Sequence, residues 1–112
     1  AIGFSIIGYS QHWSTYKLDD QLNEVSGLEQ LNESTLVAIN DSGSKAELYL
    51  IDLHGKHLKT VALKNATNVD WEDLARDDNY LYIGDIGNNQ NKRKDLCVYK
   101  SKSQMFYPKK KL

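Results

Sequence analysis

Acidic and amide side chains gather at a few points of the 112-residue sequence, where short apolar runs begin or end. The candidates for binding chemistry are Glu24, Asn40, Asp41, Asp70, Glu72, Asp73, Asp85, Asn88 and Asn89. Carboxylate and amide oxygens are the ligands of Ca²⁺ and Mg²⁺, whereas zinc favours sulfur and imidazole. The sequence therefore predicts a hard divalent cation, Ca²⁺ or Mg²⁺. Its predicted ligands are Glu24, Asn40, Asp41, Asp70, Glu72, Asp85 and Asn88.

Three acids surround Trp71 in a run that otherwise reads as a strand, namely Asp70, Glu72 and Asp73. Acids are depleted in strands, and a local departure from propensity tends to mark a site or a fixed hydrogen-bond network. If a metal ion polarises a carbonyl or phosphoryl group there, Glu72 is the candidate catalytic residue that accepts a proton. Trp71 itself is predicted to pack in the core.

Other sequence features favour structural roles. Asp41 and Asp85 each precede x-Gly, where an aspartate commonly caps a turn through backbone N–H groups, so a purely structural role is open for both. His54 and His57 flank a glycine in a predicted hairpin turn, which favours a solvated turn over a metal pair. The single cysteine, Cys97, excludes an internal disulfide and a cysteine-rich zinc site, and its apolar neighbours predict that it is buried.

The elements that must position these side chains are strands. Tyrosine and β-branched residues are frequent, and apolar residues rarely recur at helical spacing. Glycine-containing turns between short apolar runs indicate antiparallel hairpins. The predicted strands cover residues 16–18, 26–31, 35–39, 47–52, 57–63, 71–75, 80–83 and 96–100.

The strand pattern occurs twice. Asp41-Ser42-Gly43 matches Asp85-Ile86-Gly87, residues 48–51 match 96–99, Glu24 matches Asp70, and Ser26 matches Glu72. The offset of about 44 to 48 residues suits a four-stranded propeller blade. The predicted fold is therefore all-β, with antiparallel four-stranded blade repeats that make about two blades of a β-propeller. The predicted divisions are 1–15 as an N-terminal extension, 16–65 as a first strand plus blade 1, 66–100 as a partial blade 2, and 101–112 as a tail.

Two repeats are too few to close a ring, since propellers have about four to eight blades. The sequence therefore predicts either further C-terminal blades that this chain lacks or self-association of the chain.

Charge and hydropathy narrow the choice of partners. Fourteen basic side chains stand against 15 acidic ones, so no net field favours nucleic acid. The basic clusters at 92–94 and 109–111 are interpreted as solvated. No apolar stretch approaches the roughly 20 residues of a membrane span. Residues 1–9 lack a basic segment and a long apolar core, so no signal peptide is predicted, which leaves secretion open.

One ordered set of motifs resembles a known family. It comprises Glu-Val-Ser-Gly-Leu at 24–28, Asn-Asp-Ser-Gly at 40–43, Asn-Val-Asp-Trp-Glu-Asp-Leu-Ala at 68–75, and Leu-Tyr-Ile-Gly-Asp-Ile-Gly-Asn-Asn at 81–89 with Arg93. The chain resembles the N-terminal part of a bacterial, mostly secreted family of uncharacterised propellers near the gluconolactonase, paraoxonase and SdiA-regulated six-bladed group. The resemblance implies a secreted or periplasmic protein and a channel Ca²⁺ held by Glu, Asn and Asp, to which Glu24 and Asn40-Asp41 would correspond.

Three functional hypotheses follow. The first is a propeller-type binding module outside the cytoplasm, whose acids hold a divalent cation or a small polar ligand. The second is a Ca²⁺-dependent hydrolase of a lactone or phosphoester, as in gluconolactonase and paraoxonase. The third is a structural segment whose acids only satisfy turns, so whether the chain is an enzyme stays open.

Overall fold

The computed structural model describes residues 12–106. The apolar start at 1–9, the lysine cluster at 109–111, and parts of the predicted extension and tail lie outside these residues. The strands are β1 (Val25–Asn32), β2 (Thr35–Asn40), β3 (Glu47–Asp52), β4 (His57–Ala62), β5 (Trp71–Arg76), β6 (Tyr80–Asp85) and β7 (Cys97–Lys102). Single 3-10 turns cover Asp20–Leu22 and Ser103–Met105. The predicted all-β class is confirmed.

Two antiparallel sheets contain these strands. The first sheet has the order β1-β2-β3-β4, and the second sheet has the order β5-β6-β7. Hairpins join the neighbours within each sheet, as the turn residues predicted. Gly55 turns the β3–β4 hairpin with a φ of 82°, a left-handed value that glycine adopts without steric cost. Neither helical turn in residues 12–106 is long and apolar enough to cross a membrane.

Seven of the eight predicted strands are present, and the prediction of a strand at 16–18 is wrong. That segment pairs with no strand in the described residues, and the 3-10 turn begins at Asp20, directly after Asp19. It acts instead as a cover, because Leu18 and Leu22 pack on the first sheet against Ala38 and Ile51. Alternation over three residues was too short to distinguish a strand from an extended covering segment.

The main core lies between the two sheets. Val37, Ile39, Leu48 and Leu50 of the first sheet pack with Trp71, Leu74, Leu81 and Ile83 of the second. Trp71 is fully buried, so its predicted packing role is confirmed. Burying an aliphatic or aromatic side chain of this size contributes about 1.5–3 kcal/mol. The first sheet is thus covered on both faces, by the second sheet and by the segment containing Leu18 and Leu22.

The prediction that Cys97 is buried is wrong, because the cysteine is exposed. It begins β7, which stands at the end of the strand order of the second sheet. Its neighbours Leu96 and Val98 are exposed as well. A short apolar run therefore marked an edge strand rather than a buried one.

The strand registers correct the alignment of the two copies. Val25 opposes Asn40 in the first sheet, and Trp71 opposes Asp85 in the second, so Asp85 is equivalent to Asn40 and not to Asp41. Likewise, Ile39 opposes Leu48 and Gly84 opposes Val98, which shifts the predicted match of 48–51 with 96–99 by two residues. The matches at the first strands are confirmed, because β1 and β5 both carry an irregularity at the predicted pair, Ser26 and Glu72.

Candidate functional site

Three acids meet where the ends of β2 and β5 approach each other. One carboxylate oxygen each from Asp41, Asp70 and Glu72 lies within 4.8 Å of the others. Asp41 follows β2, Asp70 precedes β5, and Glu72 lies at the irregular position of β5. These residues, called the three-acid cluster below, are part of the set predicted from the sequence.

The backbone fixes the two loops that carry the cluster. The Asp41 N–H donates to the Glu24 carbonyl at 2.8 Å, and the Gly87 N–H donates to the Asp70 carbonyl at 3.0 Å. Each loop is therefore closed against the start of its own sheet. Across the sheets, the Ser26 hydroxyl donates to the Trp71 carbonyl at 2.7 Å, which holds β1 beside β5.

Asn68 joins the two loops and was missed as a site residue by the sequence reasoning. Its side-chain amide donates to the carbonyls of Asn40 and Asp41, at 2.8 and 3.1 Å. Its side-chain oxygen accepts the Trp71 N–H at 3.1 Å. Asn68 is buried, so these bonds are made away from water, where an unsatisfied partner would be costly. It thereby sets the distance between Asp41 and Asp70.

Crowding of like charges changes the acidity of Glu72. Desolvation of its carboxylate beside the other acids raises the pKa of Glu72. The negative charges of Asp70 and Asp41 act in the same direction. Like charges this close together favour the uptake of a proton or a cation.

Gly87 makes room for the Asp70 carboxylate. A Cβ placed on Gly87 would overlap the carboxylate atoms of Asp70, and Gly87 is buried. Only glycine therefore lets Asp70 keep this position. The Asp-x-Gly motif at 85–87 thus serves the neighbouring acid as well as its own turn.

Asp85 and Asn88 lie in a second network rather than in the three-acid cluster. Asp85 is buried, and its carboxylate accepts the Asp70 and Val69 N–H groups at 2.9 and 3.3 Å. The Arg93 guanidinium donates to the same carboxylate at 2.8 Å. The Asn88 side-chain oxygen accepts the Arg93 N–H at 3.0 Å. Through the two N–H groups that Asp85 accepts, this network holds the backbone of Asp70 in place.

Arg93 is the second residue whose role the sequence reasoning missed. It donates to the Gly87 carbonyl and to Asp95, at 3.0 and 2.9 Å. The carboxylates of Asp95 and Asp85 raise the pKa of Arg93, and Arg93 in turn lowers the pKa of Asp95. Its place in a Lys-Arg-Lys run suggested a solvated loop, whereas its side chain is 16% exposed.

The remaining candidates lie apart from the cluster. Glu24 is exposed and contributes its backbone carbonyl to the Asp41 loop. Asn40 is buried, and its amide donates to the Gln21 carbonyl at 3.4 Å. Asp73 is exposed and accepts the Leu74 N–H at 2.8 Å. The His54 and Lys56 N–H groups bond Asp52, as expected of a turn.

A polar cavity of about 330 Å³ adjoins the cluster at Asp70. Its wall includes Gly87, Asn88 and Arg93, with Asn89 and Lys92 at the exposed side. A larger cavity of about 380 Å³ lies beside Tyr99 and Phe106, and none of the three acids lines it. The smaller cavity is therefore the one relevant to chemistry at the acids.

No protein-family model matches the chain, and comparisons with curated proteins and with solved structures found no match. No relative therefore supports the propeller resemblance or an activity. Function has to be inferred from the three-acid cluster, its hydrogen bonds and the cavity beside it.

Proposed function

We propose that the chain is a binding module whose Asp41, Asp70 and Glu72 hold a divalent cation, with Ca²⁺ as the first candidate. The observation that carries the proposal is the convergence of three carboxylate oxygens within 4.8 Å. Because Ca²⁺–oxygen distances are about 2.3–2.6 Å, two ligands on opposite sides of one ion lie about 5 Å apart. A single ion would therefore reach all three oxygens.

Charge supports the same proposal. Three carboxylates at this separation repel one another, and desolvation together with that repulsion raises the pKa of Glu72. A divalent cation bound to the three carboxylates would neutralise most of that charge. The charge of Asp85 does not need to be neutralised by the cation, because Arg93 already pairs with it.

The site would leave coordination positions open. Ca²⁺ takes six to eight oxygens, and the cluster supplies three carboxylates. The other positions would be filled by water or by a small polar ligand in the adjoining cavity. Ca²⁺ sites of extracellular modules have dissociation constants of about 10⁻⁴–10⁻³ M. An affinity in that range would suit the secreted or periplasmic location that the family resemblance implies.

The finer fold proposal is a propeller-type arrangement. Two features support it: the sheets follow each other in sequence and pack face to face, and their first strands, β1 and β5, lie side by side. The acids would then lie at one end of the innermost strands, β1 and β5.

Calorimetric titration with Ca²⁺ tests the cation proposal. We expect saturable binding by the wild-type chain and its loss in Asp70→Asn and Glu72→Gln. Asp73→Asn is the matched control, because Asp73 is an exposed acid of the same strand outside the cluster. A folded wild-type chain that releases no binding heat would contradict the proposal and favour the structural-segment hypothesis.

The raised pKa of Glu72 favours one alternative, Ca²⁺-dependent hydrolysis of a lactone or phosphoester. A bound cation would polarise the substrate oxygen and acidify a water molecule. Glu72 would accept the proton from that water, while Asp41 and Asp70 would hold the ion. A Glu72→Gln variant that binds Ca²⁺ normally but loses turnover would select the hydrolase. Loss of Ca²⁺ binding in that variant, with no turnover by the wild type, would select the binding module.

A further inference from the structure

The second sheet has a face that points away from the first sheet. This outer face is formed by Asp73 and Ala75 of β5, Tyr82 and Gly84 of β6, and Val98 and Lys100 of β7. Val98 is 61% exposed, and Ile86, which follows β6, is 45% exposed. A Cβ placed on Gly84 would lie 3.2 Å from the Ile86 side chain, so Ile86 lies over Gly84 and adds apolar surface. Within residues 12–106, this face has no covering layer.

Strand register shows that the equivalent face of the first sheet is an interface. Gly84 and Val98 of the second sheet are equivalent to Ile39 and Leu48 of the first. By the same ladders, Tyr82 is equivalent to Val37 and Lys100 to Leu50. Val37, Ile39, Leu48 and Leu50 are all buried against the second sheet. The outer face is therefore in the position of a packing surface, and Ile86 replaces the side chain that Gly84 lacks.

The charges of the outer face identify what would cover it. The second sheet presents an apolar face to the first sheet. If a third sheet presented a similar apolar face to the outer face, it would bury Lys100, the equivalent of Leu50, without an acidic partner. Burying an unpaired charge is strongly unfavourable. A suitable partner must instead present acids opposite β7.

The outer face itself meets that requirement. Its β5 side carries Asp73 and, just after β5, Asp77, whose carboxylate accepts the Tyr82 hydroxyl at 2.7 Å. Its β7 side carries Lys100, whose ammonium lies over the Tyr80 ring, 4.0 Å from the centroid. A two-fold axis parallel to β6 would place β5 of one copy over β7 of the other. Lys100 would then lie level with Ala75 of the partner copy, about two residues, or roughly 7 Å, from Asp73 and from Asp77.

We propose that two copies of this chain associate through this outer face, with Tyr82 and Ile86 at the centre, Val98 beside them and Lys100 paired with the acids of the partner copy. The interface is isologous, since both copies use the same face. Three strands of six residues cover about 14 by 20 Å, which is small for a stable dimer and predicts a weak, concentration-dependent one. The association does not depend on a bound cation.

Sedimentation equilibrium of the full chain in a chelator, over a wide range of concentration, tests the proposal. We expect the wild-type mass to rise toward twice the monomer mass. Val98→Asp should remain monomeric at the highest concentration. Leu58→Asp is the matched control, because Leu58 is a similarly exposed strand residue of the first sheet, and it should dimerise like the wild type. Thermal unfolding of each variant shows that it is folded.

A charge exchange tests the orientation. Lys100→Glu and Asp73→Lys should each weaken the dimer at least tenfold, and the double variant should recover most of the loss. A monomeric wild type would overturn the proposal and leave a further sheet as the occupant of the face. A dimer that Val98→Asp weakens no more than Leu58→Asp does would overturn it as well. Calcium titration of the monomeric variant reports on the three-acid cluster separately, so either proposal can fail alone.

Discussion

The ends of the two sheets place different side chains at one equivalent position. Asn40 of the first sheet and Asp85 of the second both close a strand opposite the start of their sheet. Both side chains are buried, yet Asn40 makes one long amide bond to Gln21, whereas Asp85 accepts two N–H groups and pairs with Arg93. A neutral amide can be buried with few partners, but a carboxylate cannot. The longer loop of the second copy, between β6 and β7, supplies Arg93 as that partner.

The largest expected effect comes from removing the charged member of this pair. Asp85→Ala leaves Arg93 without its buried partner and two N–H groups unsatisfied, so we expect a loss of about 3–5 kcal/mol in the free energy of unfolding. Asn40→Ala should cost about 1 kcal/mol, because it removes one weak hydrogen bond. Chemical denaturation measures both values.

Asp95→Ala is the control for that comparison. Asp95 also binds Arg93, but its side chain is 70% exposed, and exposed ion pairs contribute little to stability. We expect this variant to unfold close to the wild type. If Asp85→Ala and Asn40→Ala lowered the free energy of unfolding equally, the negative charge of Asp85 would not be the reason for its larger number of hydrogen-bond partners.

The next effect concerns the residue that joins the two ends. Asn68→Ala removes three hydrogen bonds made by a buried side chain and should cost about 2 kcal/mol. It should also weaken Ca²⁺ binding, because the Asp41 loop is no longer held at a fixed distance from Asp70. Calorimetry and denaturation of one protein sample measure both effects. Asn89→Ala is the control, because Asn89 is an exposed residue of the polar cavity. This variant should leave the stability unchanged and should have little effect on the affinity for Ca²⁺.

Much of the fold could be predicted from sequence, because strand and turn residues act locally. The turn residues Asn40-Asp41-Ser42-Gly43 predicted the end of β2, and β3 was predicted with its observed bounds. Burial depends on what covers a strand, which is not a local property. Cys97 lies in an apolar run like those of the core, yet it begins an edge strand and is exposed.

The candidate site could be predicted only in part for a related reason. Asp70 and Glu72 were identified because acids within a strand break β propensity, and Asp41 because it is an acid at the junction of a strand and a turn. Asp85 lies outside the three-acid cluster and pairs with Arg93 instead. The sequence did not predict this pairing, because Arg93 stands between two lysines in a run that is typical of a solvated loop. A one-residue error in the repeat alignment also led to Asp85 being predicted in the cluster, because it matched Asp85 with Asp41 instead of Asn40.

The smallest expected effect compares Glu72 with Ser26, its equivalent in β1. Ser26 bonds the neighbouring sheet, whereas Glu72 meets two other acids. Since the pKa of Glu72 is raised in the folded chain, folding favours its protonated form. That contribution to stability is complete below the ordinary glutamate pKa and is lost as pH rises through the raised value.

Glu72→Gln mimics the protonated form, so in a chelator the variant should match the wild type in acid and exceed it in stability near neutral pH. The difference should stay below about 1 kcal/mol, because Glu72 is exposed and solvent screens the repulsion. Asp52, Asp77 and Asp95, whose pKa values are lowered, destabilise both proteins equally on acidification and cancel in the comparison.

Added Ca²⁺ should reverse the order of stability at neutral pH, since only the wild type keeps all three carboxylates. Thermal unfolding at several pH values, with and without Ca²⁺, measures this reversal. An order that Ca²⁺ leaves unchanged would mean that the repulsion among the acids is relieved by protons alone.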